Sequence, residues 1–395
     1  MLRTTPFHPR TEALCQASNW RRWSGYLAAS SYELHHDREY WAIRNSAGLL
    51  DVSPLYKYLI YGPDAERLMD RVVTRNVAKC ALHQVIYTPW CDEAGKVMDD
   101  GTLTRLTDAS FRLTSALPNL AWLQDNARGM DVAIEDVSDD IAALALQGPN
   151  ARVILSAAAD GAADDLRFFR MTEGTIGGFA VQITRTGYTG DLGYEIWTDP
   201  VNALALWDAL IEAGQPHRIV PAGMLALDIA RVEAGLILID VDYVPAHQAV
   251  IEDRKSSPFE LGLGWAVKLD KAAFVGRAAL LAEKERGPEW ELKGLEISWE
   301  SMEALYGAVG LPPQLPSEGW RSSVPVYKGG RQVGYATSGC WSPILKKYIA
   351  LAHLQTPHSK TGTQLTMEVT VEHHRRQASA RVVEPQFFNP ERKRS

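Results

Sequence analysis

Two neighbouring carboxylates, Asp99 and Asp100, follow the turn-forming run Asp92-Glu93-Ala94-Gly95-Lys96 and open a strand-like stretch, Gly101-Thr102-Leu103. A carboxylate held rigidly there can hydrogen-bond a ring nitrogen of a ligand, orient it, and accept or relay its proton. Successive side chains of a strand point to opposite faces. One aspartate is therefore expected in a cavity, and the other toward solvent, a cation or backbone amides. Standing alone, such a pair reads as an ordinary acidic surface turn.

Three further segments change that reading. Arg185-Thr186-Gly187-Tyr188-Thr189-Gly190-Asp191-Leu192-Gly193-Tyr194-Glu195-Ile196 spaces glycines so that the backbone can turn tightly and approach a flat ligand. Tyr188 offers an aromatic face, and Glu195 sits among Tyr194, Ile196 and Trp197. A carboxylate in apolar surroundings is costly unless it is hydrogen-bonded, and one carboxylate can accept two adjacent N–H donors. The run Gly223 to Gly235 carries Asp228 and Arg231 at helical i, i+3 spacing, which alone makes an ordinary surface pair. Gly334 to Lys347 includes Cys340, which reads as a packed thiol because no histidine is placed beside it.

Taken in order, these segments resemble the folate-dependent aminomethyltransferase family, the T-protein family of the glycine cleavage system. Phe259-Glu260-Leu261-Gly262-Leu263-Gly264-Trp265 and Phe274-Val275-Gly276-Arg277 add to the match. The resemblance implies an α+β chain built as a three-domain cloverleaf around a central folate cavity, ending in a β-barrel or jelly roll. The implied units are a discontinuous folate-binding domain (1–58 and 143–260), an inserted domain carrying Asp99 (59–142), and a β-rich domain (261–395). Tetrahydrofolate is the implied cofactor. The family's first aspartate contacts the reacting edge of the folate, a role that falls on Asp99. The pterin-binding glutamate corresponds to Glu195, with Tyr188 beside it. Arg231 organises the cavity floor, and Arg277 either meets the folate glutamate tail or braces a domain contact.

Departures from the family pattern cluster elsewhere. Lys96 stands where a second glycine is usual, Gly101 where a leucine is usual, and Pro54 replaces a histidine after Asp51-Val52-Ser53. An asparagine familiar near Ser115 is absent, and Ala17 to Tyr26 differs from the usual N-terminal stretch. The folate signatures thus persist while the substrate side changes. That pattern resembles relatives that move a methyl group from a small sulfonium, ammonium or methoxyaromatic compound to N5 of tetrahydrofolate. Tyr56, Tyr87 and Trp90 are the candidate substrate-side aromatics, since such faces suit a methoxyarene or a cation. The alternatives are a glycine-cleavage aminomethyltransferase acting on a lipoyl carrier protein, and a non-enzymatic folate-binding protein.

The elements needed to hold these groups are legible in outline. A helix is expected from Glu33 to Ser46 behind Ser30-Ser31, strands over Val85–Tyr87, Gly101–Arg105 and Ser110–Thr114, and helices over Pro118–Asn126, Val201–Ala213 and Met224–Glu233. Strand alternation dominates after Leu292. The proline-containing Glu384–Ser395 stretch is expected to be loose. The chain has 395 residues, enough for two or three domains. Its net charge of -7 gives no general attraction to nucleic acid or an anionic membrane. No stretch is apolar enough to span a bilayer. Cys15, Cys80, Cys91 and Cys340 show neither metal-ligand nor disulfide spacing, so a reducing cytoplasm is expected. His35-His36 and His373-His374 point apart on any regular element, so no metal is expected.

Overall fold

The computed structural model describes residues 2–395. Two open sheets and a closed barrel, with a two-stranded N-terminal ribbon beside them, organise the described residues. The first is six-stranded, in the order Met171–Ile176, Phe179–Thr184, Gly193–Thr198, Ala142–Gln147, Ala47–Asp51, Ile219–Pro221. Its neighbours are antiparallel except for Ile219–Pro221, which runs parallel to Ala47–Asp51. The second is five-stranded, in the order Val85–Cys91, Val97–Thr107, Ser110–Ser115, Tyr56–Tyr61, Ala133–Asp136. Strands of the first sheet thus lie on both sides of the second in sequence. Beyond them, six strands between Trp290 and Val383 close into a barrel, which leaves no unpaired edge. The chain is α+β with a C-terminal barrel, not a jelly roll.

The helix Met224–Glu233 runs through the centre, and every residue from Leu225 to Glu233 is buried. The charges it takes inside are matched. Glu233 accepts the Tyr40 hydroxyl at 2.6 Å, the Arg44 fork at 2.6 and 2.8 Å, and the barrel hydroxyl of Ser342 at 2.6 Å. One carboxylate therefore ties the helix Asp37–Asn45, the central helix and the barrel together.

Two expectations fail here. Ser30 and Ser31 do not cap a helix. They end the strand Tyr26–Ser31, which pairs with Asn19–Trp23, and the helix begins later as Asp37–Asn45. The C-terminal stretch is not loose either. The Phe388 amide donates to the Glu233 carbonyl at 2.8 Å, its ring lies 4.3 Å beneath the Arg44 guanidinium, and Arg392 grips Asp191 at 2.7 and 2.8 Å. A polar, proline-containing sequence can be held by one ion pair, a backbone hydrogen bond and a stacked ring that composition does not reveal.

Candidate functional site

The register of the five-stranded sheet sorts the candidate residues. Trp90 pairs with Asp99, and Gly101 with Ser115, which faces Tyr56. Cross-strand partners share a face, so Asp99, Trp90 and Tyr56 lie on one side. That side packs on the core of this sheet, where Trp90 is fully buried and Tyr56 partly so. The other side presents Asp100, Thr102, Thr104, Tyr87 and Arg112. It faces the six-stranded sheet, because Arg112 reaches Gln182 at 2.6 Å and lies over the Trp197 ring at 4.5 Å. The slot between the two sheets is the candidate site.

Asp99 therefore does not face the slot. Its Oδ1 accepts the Asp100 amide at 2.8 Å, and its Oδ2 accepts the Leu117 amide at 3.0 Å and the Asn119 side-chain amide at 2.9 Å. The Asn119 side-chain oxygen in turn accepts the Trp90 indole N–H at 3.1 Å, and its backbone N–H donates to the Tyr58 hydroxyl at 2.7 Å. Asp99 is fully buried in this network. Burial, and then the charge of Asp100, push its carboxyl up to about 8. Gly101 belongs to the same face. A Cβ there would lie 1.9 Å from the Thr114 carbonyl oxygen, so the usual leucine has no room in this strand.

Asp100 is the slot-facing carboxylate. Tyr87 donates to its Oδ2 at 2.7 Å and Tyr243 to its Oδ1. Burial raises its pKa above the ordinary carboxylate value, while the two phenols oppose that rise. The result is a carboxylate more basic than one at the surface and held by two donors. Tyr188, partly exposed, packs on the same central core as Tyr87 and Tyr243, and its hydroxyl donates to the Ile237 carbonyl. Tyr87 also stacks on the half-exposed Trp265 indole, centroids 6.0 Å apart.

Glu195 comes from the opposite wall. It pairs with Thr184 and Ala145, one residue pair from Trp197 and Gln182 on the same face. Its Oε2 accepts the Thr186 hydroxyl. Burial raises its pKa, against the pull of Thr186 and the Arg112 charge. Gln147 packs into the space left by Gly187 and Gly193, where a Cβ would come within 2.1–2.3 Å of its amide. It accepts the Thr189 hydroxyl at 2.8 Å and donates to the Thr186 carbonyl at 3.2 Å, so the glycines let one amide pin the loop that carries Tyr188 and leads into Glu195.

Arg231 and Arg277 bond to neither slot carboxylate, although the Arg231 charge reaches the Tyr188 phenol. The Arg231 fork is buried, bonded to Asp242 and, at 2.8 Å, to the Ser338 hydroxyl of the barrel. Both Arg277 donors, at 3.1 and 2.8 Å, go to the Leu269 carbonyl, so it braces its own loop. Cys340 is buried, and burial pushes its thiol well up, as expected of a packed residue. Among the described residues no cluster of three or more His, Cys, Asp or Glu is placed to hold a metal. Among the described residues no helix is long and apolar enough to cross a membrane. A cavity of about 340 Å³ opens beside the N-terminal hairpin, lined by Arg3, Thr5, Tyr26, Ser53, Asp139 and Ile141 among others, and none of the slot carboxylates borders it.

Asn119, Tyr243 and Arg112 were not legible as site residues. Their roles come from loop geometry and from packing between the two sheets.

The same arrangement of domains is found in known proteins. The GCVT N-terminal domain model matches residues 8–271, and the glycine cleavage T-protein C-terminal barrel domain model matches residues 308–389. The chain belongs to the aminomethyltransferase family. The aminomethyltransferase of Halothermothrix orenii is 36% identical over 335 residues, covering 84% of this chain and 86% of that protein. The trimethylamine-oxide aldolase of Ruegeria pomeroyi is 33% identical across 100% of this chain but only 48% of its own length. The crystal structure of the glycine cleavage system aminomethyltransferase T of Bartonella henselae superposes with a TM-score of 0.83, at 25% identity over 98% of this chain and 99% of that one. Membership of the aminomethyltransferase family makes this chain a tetrahydrofolate-dependent one-carbon transfer enzyme.

Proposed function

We propose that this chain transfers an aminomethyl group from a lipoyl carrier to tetrahydrofolate, releasing ammonia. Its near full-length similarity to named aminomethyltransferases supports this reading over transfer from a small methylated donor. Glu195 keeps one oxygen free of protein partners and suits the paired N–H donors of an amino-pyrimidinone edge. The tyrosines supply flat apolar faces beside it. Bound tetrahydrofolate supplies the nitrogen that takes the one-carbon unit.

The chain's own groups do the rest. Asp100, not Asp99, is the carboxylate we assign to the reacting edge of the ligand. Its raised proton affinity suits it to accept a proton, and Tyr87 and Tyr243 fix its orientation. Glu195 anchors and orients. Tyr188 walls the slot. Asp99 and Asn119 set the strand end that presents Asp100. The carrying observation is the opposition of Asp100 and Glu195 on facing sheets with three phenols between the walls.

A second reading, transfer from a small methylated ammonium or sulfonium donor, is favoured by the phenols gathered around Asp100, since aromatic faces and a carboxylate attract such cations. One mass-resolved folate assay separates the two. Carrier-dependent 5,10-methylenetetrahydrofolate with ammonia supports the first. 5-Methyltetrahydrofolate formed only with dimethylsulfoniopropionate, glycine betaine or a methoxyarene overturns it in favour of the second. No product with any donor overturns both.

A further inference from the structure

Arg112 projects from the strand Ser110–Ser115 into the slot and is only 3% exposed. Its Nη1 donates to Gln182 Oε1 at 2.6 Å. Its Nε and Nη2, the side of the fork that matches paired acceptors, have no hydrogen-bond partner. A buried donor without a partner costs about 1–3 kcal/mol, and two on one guanidinium are seldom left so without a reason. The guanidinium lies over the ring of Trp197, two residues along its strand from Glu195. Arg112 and Glu195 feel each other's charge, although no direct ion pair joins them. Within reach of each other's charge, then, stand a carboxylate with acceptor capacity and a covered guanidinium with unused donor capacity.

That pattern is complementary to one ligand edge. An amino-pyrimidinone presents two N–H donors and, next to them, a carbonyl acceptor. Resting on the folate reading above, we propose that Arg112 donates to the 4-oxo group of the bound pterin while Glu195 accepts from the neighbouring N–H groups. Arginine suits the task because it stays charged and its long stem lets the fork turn from the indole face toward a ligand. Arg112 is then a specificity-determining residue. It selects a 4-oxo ring and rejects a 4-amino ring, which would set donor against donor.

The test is equilibrium binding, measured anaerobically by calorimetry, of tetrahydrofolate and its 4-amino-4-deoxy analogue to the wild-type chain, Arg112→Leu and Arg112→Lys. The wild-type preference for the 4-oxo ligand is expected to be roughly tenfold or more, falling to about threefold or less in Arg112→Leu and intermediate in Arg112→Lys. A purely structural Arg112, clamping Gln182 and Trp197 across the two sheets, would weaken both ligands alike and leave the preference unchanged, which overturns the proposal. Should Arg112→Leu not fold, Arg112→Lys decides by the same ratio. Failure of the wild-type chain to bind either ligand overturns the folate reading itself.

Discussion

Asp99 and Asp100 are adjacent in sequence and serve opposite faces of one strand. Asp99 takes three N–H donors on the buried side, and Asp100 takes two phenols on the slot side. The division of labour between them is the clearest target for experiment.

Asp100→Asn is expected to lower turnover by about 10²–10⁴-fold, the usual worth of a positioned proton acceptor, with the thermal midpoint little changed. Asp99→Asn is expected to act mainly on stability. Its amide would point N–H groups at the donors of Leu117, Asn119 or Asp100, costing about 1–3 kcal/mol in urea unfolding. Equal catalytic losses with unchanged stability in both variants would contradict the assignment.

The same pair predicts a pH dependence. Burial raises the folded pKa of Asp99 to about 8 and also raises that of Asp100, above an unfolded value of 3.8. The folded state holds more protons than the unfolded state between those limits. Their contribution is fully present below the unfolded value and is lost as pH rises through the folded one. Urea midpoints measured from pH 5 to pH 8 should therefore decline less steeply in Asp100→Asn than in the wild-type chain, because the variant lacks one of the two like charges. An identical slope would refute this.

Glu195→Gln is expected to weaken tetrahydrofolate binding roughly 10- to 100-fold, the loss of charge-assisted bonds. The fold should persist, since Thr184 and Thr186 can turn their hydroxyls to the new amide. Calorimetry alongside a thermal melt separates the two effects.

Asp242→Ala is expected to destabilise the chain by about 3–5 kcal/mol, because it strands the buried Arg231 guanidinium without its carboxylate. Thr337, Ser338 and the Leu238 amide lose the same acceptor, so central helix and barrel should uncouple. Chemical denaturation followed by tryptophan fluorescence reads this directly. A change under 1 kcal/mol would remove Arg231 from the list of structural anchors.

Much of the site was visible before the fold. The glycine-spaced loop leading into Glu195 and the paired aspartates could be read as ligand-binding segments because their residue types are costly or pointless in other settings. The strand period told that Asp99 and Asp100 face apart. It left open which one meets the ligand: the resemblance assigns Asp99, while the structure turns Asp99 toward the core of its own sheet and Asp100 toward the six-stranded sheet. Trp90 and Tyr56 lie on the Asp99 side of that sheet, and Tyr87 on the other. An aromatic residue in a strand reads alike whether it fills a core or lines a slot.

The sequence by itself determined the family, the α+β class, the C-terminal β region, the segments that carry chemistry and the alternation of side chains along each strand. Those are properties of residue type and short-range spacing. Tertiary structure alone decided which face of the five-stranded sheet meets the six-stranded one. It thereby decided that Asp100 and Arg112 look into the slot while Asp99 and Trp90 look into a core. It also brought Tyr243 and Tyr87 to Asp100 and joined Arg231 to Ser338 across the chain. A strand's period fixes relative orientation only. Absolute orientation is set by what packs against the sheet, and that partner lies far away in sequence.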